Sequence, residues 1–207
     1  TVLGLVLTTV LLHIKPDDFE TRLSRAGMAI QVGRTQDAHA DCNQLLKAAP
    51  QSPVALYNRG RAEYAKGDFD AAADDFRASA KNLEDVADAS LRAYATLRLT
   101  LASARAKRPP PELAALGKAV PVDQWPMPIV AFMLGNMSAD DLLQAANVSD
   151  PAKAANLTAE AQYYLGEWAL LKQDKKGAKQ HFKAAIAGKA DRANLEFIDA
   201  GLALKKL

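Results

Sequence analysis

His39 and Cys42 stand three residues apart, a spacing that puts both side chains on one face of a helix, so a thiolate–imidazole nucleophile is the first chemistry to weigh. Position 42, however, lies one period of 34 residues before Phe76, and a thiol that replaces a core aromatic is expected to be a buried, inert small hydrophobe. Asp68, Asp70, Asp74 and Asp75 form a second cluster, dense enough to suggest a cation site. Aspartates around a helix start more often cap it and complement its dipole, and that is the expectation adopted. His13, His39 and His181 are too scattered for a convincing metal cluster, and the single Cys42 excludes an intrachain disulfide. No glycine-rich phosphate loop, zinc spacing or nucleophile elbow occurs. The expectation is a non-enzymatic chain with no catalytic, cofactor-binding or metal-binding residue.

The elements that would carry such residues are helical. The chain has 207 residues, 49% hydrophobic and 24% charged, which excludes global disorder and leaves enough material for a core. A net charge of +2 supports no general grip on nucleic acid. Alanine is abundant and aromatics are only 6%, so helices must approach closely, and the class is all-α. Self-similarity recurs every 34 residues: Ala26 with Gly60, Gly33 with Gly67, Ala38 with Ala72, Cys42 with Phe76, and Pro16 with Pro50. The second unit predicts a helix to about Ala65, a turn at Gly67-Asp68 and a helix over about Asp70–Ala80. Small residues at 60 and 72 mark where the paired helices cross, with Phe76 filling the gap at the next turn.

This unit resembles the tetratricopeptide repeat (TPR). The resemblance covers residues 19–52 and 53–86 in strict register and returns at 159–192, where Tyr164-Leu165-Gly166, Ala178, Phe182 and Ala185 occupy the signature positions. It implies a right-handed α-solenoid over 19–207, about five helical hairpins, two of them degenerate, closed by a capping helix. Gln173 stands where the last clear repeat should have its turn glycine.

The middle, 87–158, is degenerate. A helix is expected over Val86–Lys107 with Leu91, Tyr94, Leu97 and Leu101 on one stripe, broken by Pro109-Pro110-Pro111. Short helices should follow at Glu112–Val120, Ile129–Leu134 and, capped by Ser138, to about Ala146. Residues 193–207 should form a cap with Leu195, Ile198, Leu202 and Leu204 or Leu207 inward. Within the degenerate part, Gln124-Trp125, Ile129-Val130, Phe132, Leu134-Gly135-Asn136, Ser138 and Leu142 are similar to the NlpI-like TPR proteins of the bacterial envelope. That resemblance implies an adaptor, often dimeric, that brings proteases and cell-wall hydrolases together on the periplasmic side. The family's lipid-anchoring cysteine has no counterpart in residues 1–18.

By analogy with the repeat, the first helix of each hairpin lines a concave, protein-binding groove. Tyr57, Asn58, Arg61 and Tyr64 would line it first, then Leu91, Arg92 and Arg98, then Tyr163, Tyr164 and Glu167. Packing between helices is at least as good a reading for Tyr64 and Tyr164. The basic set that clamps a peptide carboxylate in chaperone-binding repeats is largely missing, since Leu23, Gly27 and Asp88 depart from it. Charge is uneven: Glu63–Asp88 carries eight acids and three bases, Glu167–Arg192 seven bases and three acids. Solvated faces explain this, and so would an acidic and a basic end that steer partners.

Residues 1–14 contain no charge apart from a protonated His13, and fourteen residues are too few to span a bilayer, which takes about 20. Signal remnant, membrane anchor and packed helix all remain open for this segment. Pro16 matches Pro50, so it would also fit the second helix of an incomplete repeat. The alternatives to the envelope adaptor are a structural subunit of a membrane complex held by residues 1–14, and a cytoplasmic scaffold in which that helix is core.

Overall fold

The computed structural model describes residues 2–84, 89–108, 113–119 and 124–207. Among the described residues there are twelve helices and no strand: α1 (Val2–Ile14), α2 (Phe19–Gln31), α3 (Thr35–Ala48), α4 (Pro53–Lys66), α5 (Phe69–Lys81), α6 (Ala89–Arg105), α7 (Leu113–Ala119), α8 (Met127–Met133), α9 (Ala139–Ala145), α10 (Pro151–Leu171), α11 (Lys175–Ala187) and α12 (Leu195–Leu204). Each packs mainly on its neighbours in sequence, giving an all-α helical-repeat solenoid. Two compact units result, Thr1–Pro111 and Glu112–Leu207, and the boundary falls at the proline run.

In the first unit α2/α3 and α4/α5 are successive hairpins of the 34-residue period. Their starts are set by side chains one period apart: Asp18 Oδ1 accepts from the Thr21 amide at 2.7 Å, and Ser52 Oγ from the Ala55 amide at 3.3 Å. The α4/α5 turn needs a left-handed residue, which Gly67 provides at φ +94° without a Cβ penalty. In the α10/α11 hairpin Gln173 takes that conformation, φ +63°, so the turn survives the loss of glycine.

The hairpins are held by a close crossing. A Cβ on Gly60 would lie 2.9 Å from Phe76 Cε1, and one on Gly166 would lie 2.6 Å from Phe182 Cε1. Phe76 and Phe182 are fully buried. In α2/α3 the same two positions are Ala26 and Cys42, both fully buried: the methyl added on one helix is accommodated by the smaller side chain on the other. Phe76 then joins Ala72, Ala73, Leu99 and Ala102 in a cluster that seats α6 on α5.

The degenerate middle departs from expectation in detail. Residues 86–88, at the expected start of the third-repeat helix, lie outside the described residues, as do 109–112 and 120. On α6, Leu97 and Leu101 of the expected stripe are fully buried and Tyr94 is partly buried, whereas Leu91, at the start of the helix, is 48% exposed and departs from it. Ser138 caps α9 as expected, accepting from the Asp141 amide at 3.1 Å. Helix α10 begins at Pro151, so position 159 falls inside it. On α12, Ile198 faces inward as expected, together with Glu196 and Ala200, while Leu195 and, beyond the helix, Leu207 are exposed.

Gly60 and Gly27 should respond oppositely to substitution. Gly60→Val should destabilise by about 1–3 kcal/mol, since Phe76 has no room to yield. Gly27→Ala has nothing within 4 Å of the added Cβ and should stabilise by about 0.5–1 kcal/mol. Urea midpoints at constant slope read both, and equal effects of the two changes would remove the close crossing from its place in the fold.

Candidate functional site

The expected groove residues separate into an accessible set and an enclosed set. Helix α2 approaches α4 across the α3 hairpin partner, so the first helices of successive repeats share one side of the unit. On that side Leu23, Tyr57 and Leu91 stand one period apart, and so do Ser24, Asn58 and Arg92. All six retain solvent exposure, with Ser24 and Leu91 the most open. Helices α2 and α4 are in contact, and the same two positions recur one period further along on α6. Asn58 is oriented by its own helix, its Nδ2 donating to the Val54 carbonyl at 3.1 Å.

Arg61, Arg98, Tyr163 and Glu167 are placed otherwise. They are 3%, 3%, 1% and 2% exposed, so the chain itself encloses them and they present no free surface. Tyr164 is also fully buried, its ring edge-on to Tyr163 at 5.2 Å. Tyr163 is the counterpart of Tyr57: it packs on Phe182 at 6.1 Å as Tyr57 packs on Phe76 at 5.5 Å. Tyr64 is half-buried, edge-on to Phe69 at 5.1 Å, with the Arg105 guanidinium over the other partner of that contact. Aromatics on the first helices therefore serve packing first, as read for Tyr64 and Tyr164.

The chemistry weighed at His39 and Cys42 does not assemble. Cys42 is fully buried, and burial beside Asp41 pushes its thiol up to about 12, far from a thiolate at neutral pH. His39 instead faces Glu63, Nε2 to Oε1 at 3.2 Å, and Asn43 lies 3.2 Å from its other nitrogen. The aspartate cluster is dispersed among partners. Asp68 caps α5, accepting from the Ala71 amide at 3.3 Å; Asp74 pairs with Arg77 and Arg108; Asp75 takes Arg59 in a two-pronged pair, 2.7 Å on each prong. Among the described residues no group of three or more potential ligands could hold a metal.

Sequence reasoning missed the paired charges of the first unit. Arg59–Asp75 has a copy one period earlier, Arg25–Asp41, in which Arg25 Nε donates to Asp41 Oδ2 at 2.7 Å and a second prong reaches Oδ1. Both arginines sit on the first helix of a hairpin and both aspartates, nearly buried, on the second. The signal was available: an arginine followed sixteen residues later by an aspartate, repeated after 34. Arg59 extends the chain of contacts by donating to Asn43 Oδ1 at 2.8 Å, tying α4 to α3 as well as α5. In the second unit Glu160 plays the corresponding part, accepting from Trp125 Nε1 at 2.7 Å and Asn194 Nδ2 at 3.0 Å.

Glu63 adds a pH-dependent contact between the hairpins. It is 6% exposed and its Oε2 is buried without a hydrogen-bond partner. Burial, with Asp75 nearby, raises its carboxyl to about 7, while burial and the Lys66 and Arg59 charges lower His39. A carboxyl raised in the fold contributes stability that is complete below its ordinary range and is lost as pH rises through about 7. His39 acts in the opposite sense, with stability lost as pH falls below the imidazole's ordinary range. Glu63→Gln removes the first effect and keeps the second. The stability of the variant relative to the natural protein should therefore rise from about pH 5 to about pH 8. Urea unfolding at the two pH values tests this, and a pH-independent difference would show that Glu63 is ionised in the fold throughout.

No protein-family model matches the chain, and no curated protein matches it in sequence.

Proposed function

We propose that the protein is a TPR-type scaffold that binds other proteins through the accessible rows on α2, α4 and α6. The carrying observation is the recurrence, at two adjacent positions one period apart on the first helices α2, α4 and α6, of side chains that keep solvent exposure: Ser24, Asn58 and Arg92, beside Leu23, Tyr57 and Leu91. Side chains of mixed polarity at repeat spacing suit an extended peptide or a helix laid across the unit. The burial of Cys42 and the engagement of Asp68, Asp74 and Asp75 in caps and ion pairs support binding without chemistry of its own. The likeness of residues 124–142 to the NlpI-like proteins supports an envelope adaptor acting on the periplasmic side, with proteases or cell-wall hydrolases as the partner class. Among the described residues no helix is long and apolar enough to cross a membrane.

Capture from a native envelope extract tests this reading. The natural chain should retain a protease or cell-wall hydrolase that the combined variant Asn58→Ala, Leu91→Ala and Arg92→Ala loses at least about tenfold, a change worth about 1.4 kcal/mol. Helicity and melting temperature should stay unchanged, because none of the three is buried. Undiminished capture by the folded variant would move the interface off these rows.

A further inference from the structure

Helix α11 of the second unit holds four lysines, Lys175, Lys176, Lys179 and Lys183, and no arginine, aspartate or glutamate. All four are exposed, while Ala178, Phe182 and Ala185 are buried on the side that packs on α10. Lys176, Lys179 and Lys183 stand at i, i+3 and i+7, so they form one stripe about 11 Å long on the outer side of the helix.

Nothing within the unit answers this charge. Among the described residues none of the four lysines enters an ion pair. The acids that bracket α11 in sequence are turned to backbone amides. Asp174 caps the helix, its Oδ1 accepting from the Gly177 amide at 2.8 Å, and Asp191 Oδ1 accepts from the Ala193 amide at 2.8 Å. Lys172, just before the helix, lies over the Trp168 ring at 5.7 Å.

The fold does not ask for this charge either. Aligned on the crossing phenylalanines, Phe76 and Phe182, Lys176 takes the place of Asp70 in α5, and Lys179 that of Ala73. Helices α3 and α5 carry Asp37 and Asp70 in their first turns, where a carboxylate complements the helix dipole; α11 has two lysines there and no acid. Lys175–Lys179 and Lys179–Lys183 are like-charge pairs at i, i+4, each of which weakens a helix. The same hairpin is built without that local cost in the first unit, and an anion from outside the chain would offset it.

The make-up of the stripe selects among anions. A nucleic-acid face brings arginine forks to phosphates and aromatic rings to bases, and α11 exposes neither. A helix that lies on a membrane brings large apolar side chains to insert beneath the headgroups, whereas the exposed uncharged residues of α11 are Gln180, Ala184 and Ala187. Four ammonium groups on flexible stems, within nine residues, match a few consecutive carboxylates on an extended chain. We propose that the outer face of α11 docks an acidic segment of a partner protein, with Lys176, Lys179 and Lys183 meeting its carboxylates and Lys175 at the flank. The surface lies in the second unit and stands whether or not the rows of the first unit bind a partner.

Fluorescence anisotropy of a labelled octaglutamate peptide, titrated with the full chain at about 50 mM NaCl, tests it. The triple variant Lys176→Gln, Lys179→Gln, Lys183→Gln should raise the dissociation constant at least about tenfold. A control with the same change in net charge, Lys47→Gln, Lys81→Gln, Lys153→Gln, should raise it less than about threefold. Both variants should keep their helicity, because all six lysines are exposed. Absence of binding by the natural chain, or equal losses in the two triple variants, would overturn the proposal. So would tighter binding of phosphatidylglycerol vesicles, or of an oligothymidylate with eight phosphates, through the same three lysines, which would give the face to lipid or to nucleic acid.

Discussion

The structure depends on how closely two helices can cross. Where Gly60 meets Phe76, and Gly166 meets Phe182, the aromatic ring occupies the space a Cβ would need. The ring is then sealed by the glycine backbone, and its far side is free to meet the next helix, as Phe76 meets Leu99 and Ala102 of α6. One contact therefore serves both the hairpin and the stacking of hairpins. The Ala26–Cys42 version shows that the requirement is on the sum of two volumes and not on either residue alone.

Close approach also sets the electrostatics. Once backbones are this near, the side chains flanking the crossing lose water, and charge can persist there only with a partner. Arg25–Asp41 and Arg59–Asp75 meet that condition with two prongs each. Glu63 lacks a partner on one oxygen, and the response is a carboxyl that takes up its proton near neutrality. Such pairs add little net stability compared with apolar contacts of similar volume, but they penalise a misaligned hairpin heavily, which favours one register of the repeat.

The surfaces left over follow from the same geometry. A first helix is covered on the side of its hairpin partner, and among the described residues positions 23/24, 57/58 and 91/92 keep solvent exposure. On α1, by contrast, Leu3, Leu7, Val10 and Ile14 are exposed apolar side chains on one helix. The two surfaces differ in kind: one is mixed in polarity and distributed over three helices, the other is purely aliphatic and confined to one.

The repeat period, the helix start at Ser138, the turn at Gly67 and the small–aromatic pairing were legible in the residues, because each is a local or fixed-spacing constraint on backbone and volume. The burial of Cys42 was legible for the same reason, since its repeat position already implied it. What the sequence left open was which polar residues are spent inside. Arg61 and Arg98 look like groove residues by position, as do Tyr163 and Glu167, yet all four are enclosed. Burial of a long side chain depends on the helices arriving from elsewhere in the chain, and spacing along one helix carries no record of them. The inward face of α12 and the exposed Leu91 belong to the same class. For α1, composition alone left anchor, signal remnant and packed helix open. Only the packing on α2 distinguished a covered face from an open one, because a helix apolar all round has no pattern that says which side its neighbour takes.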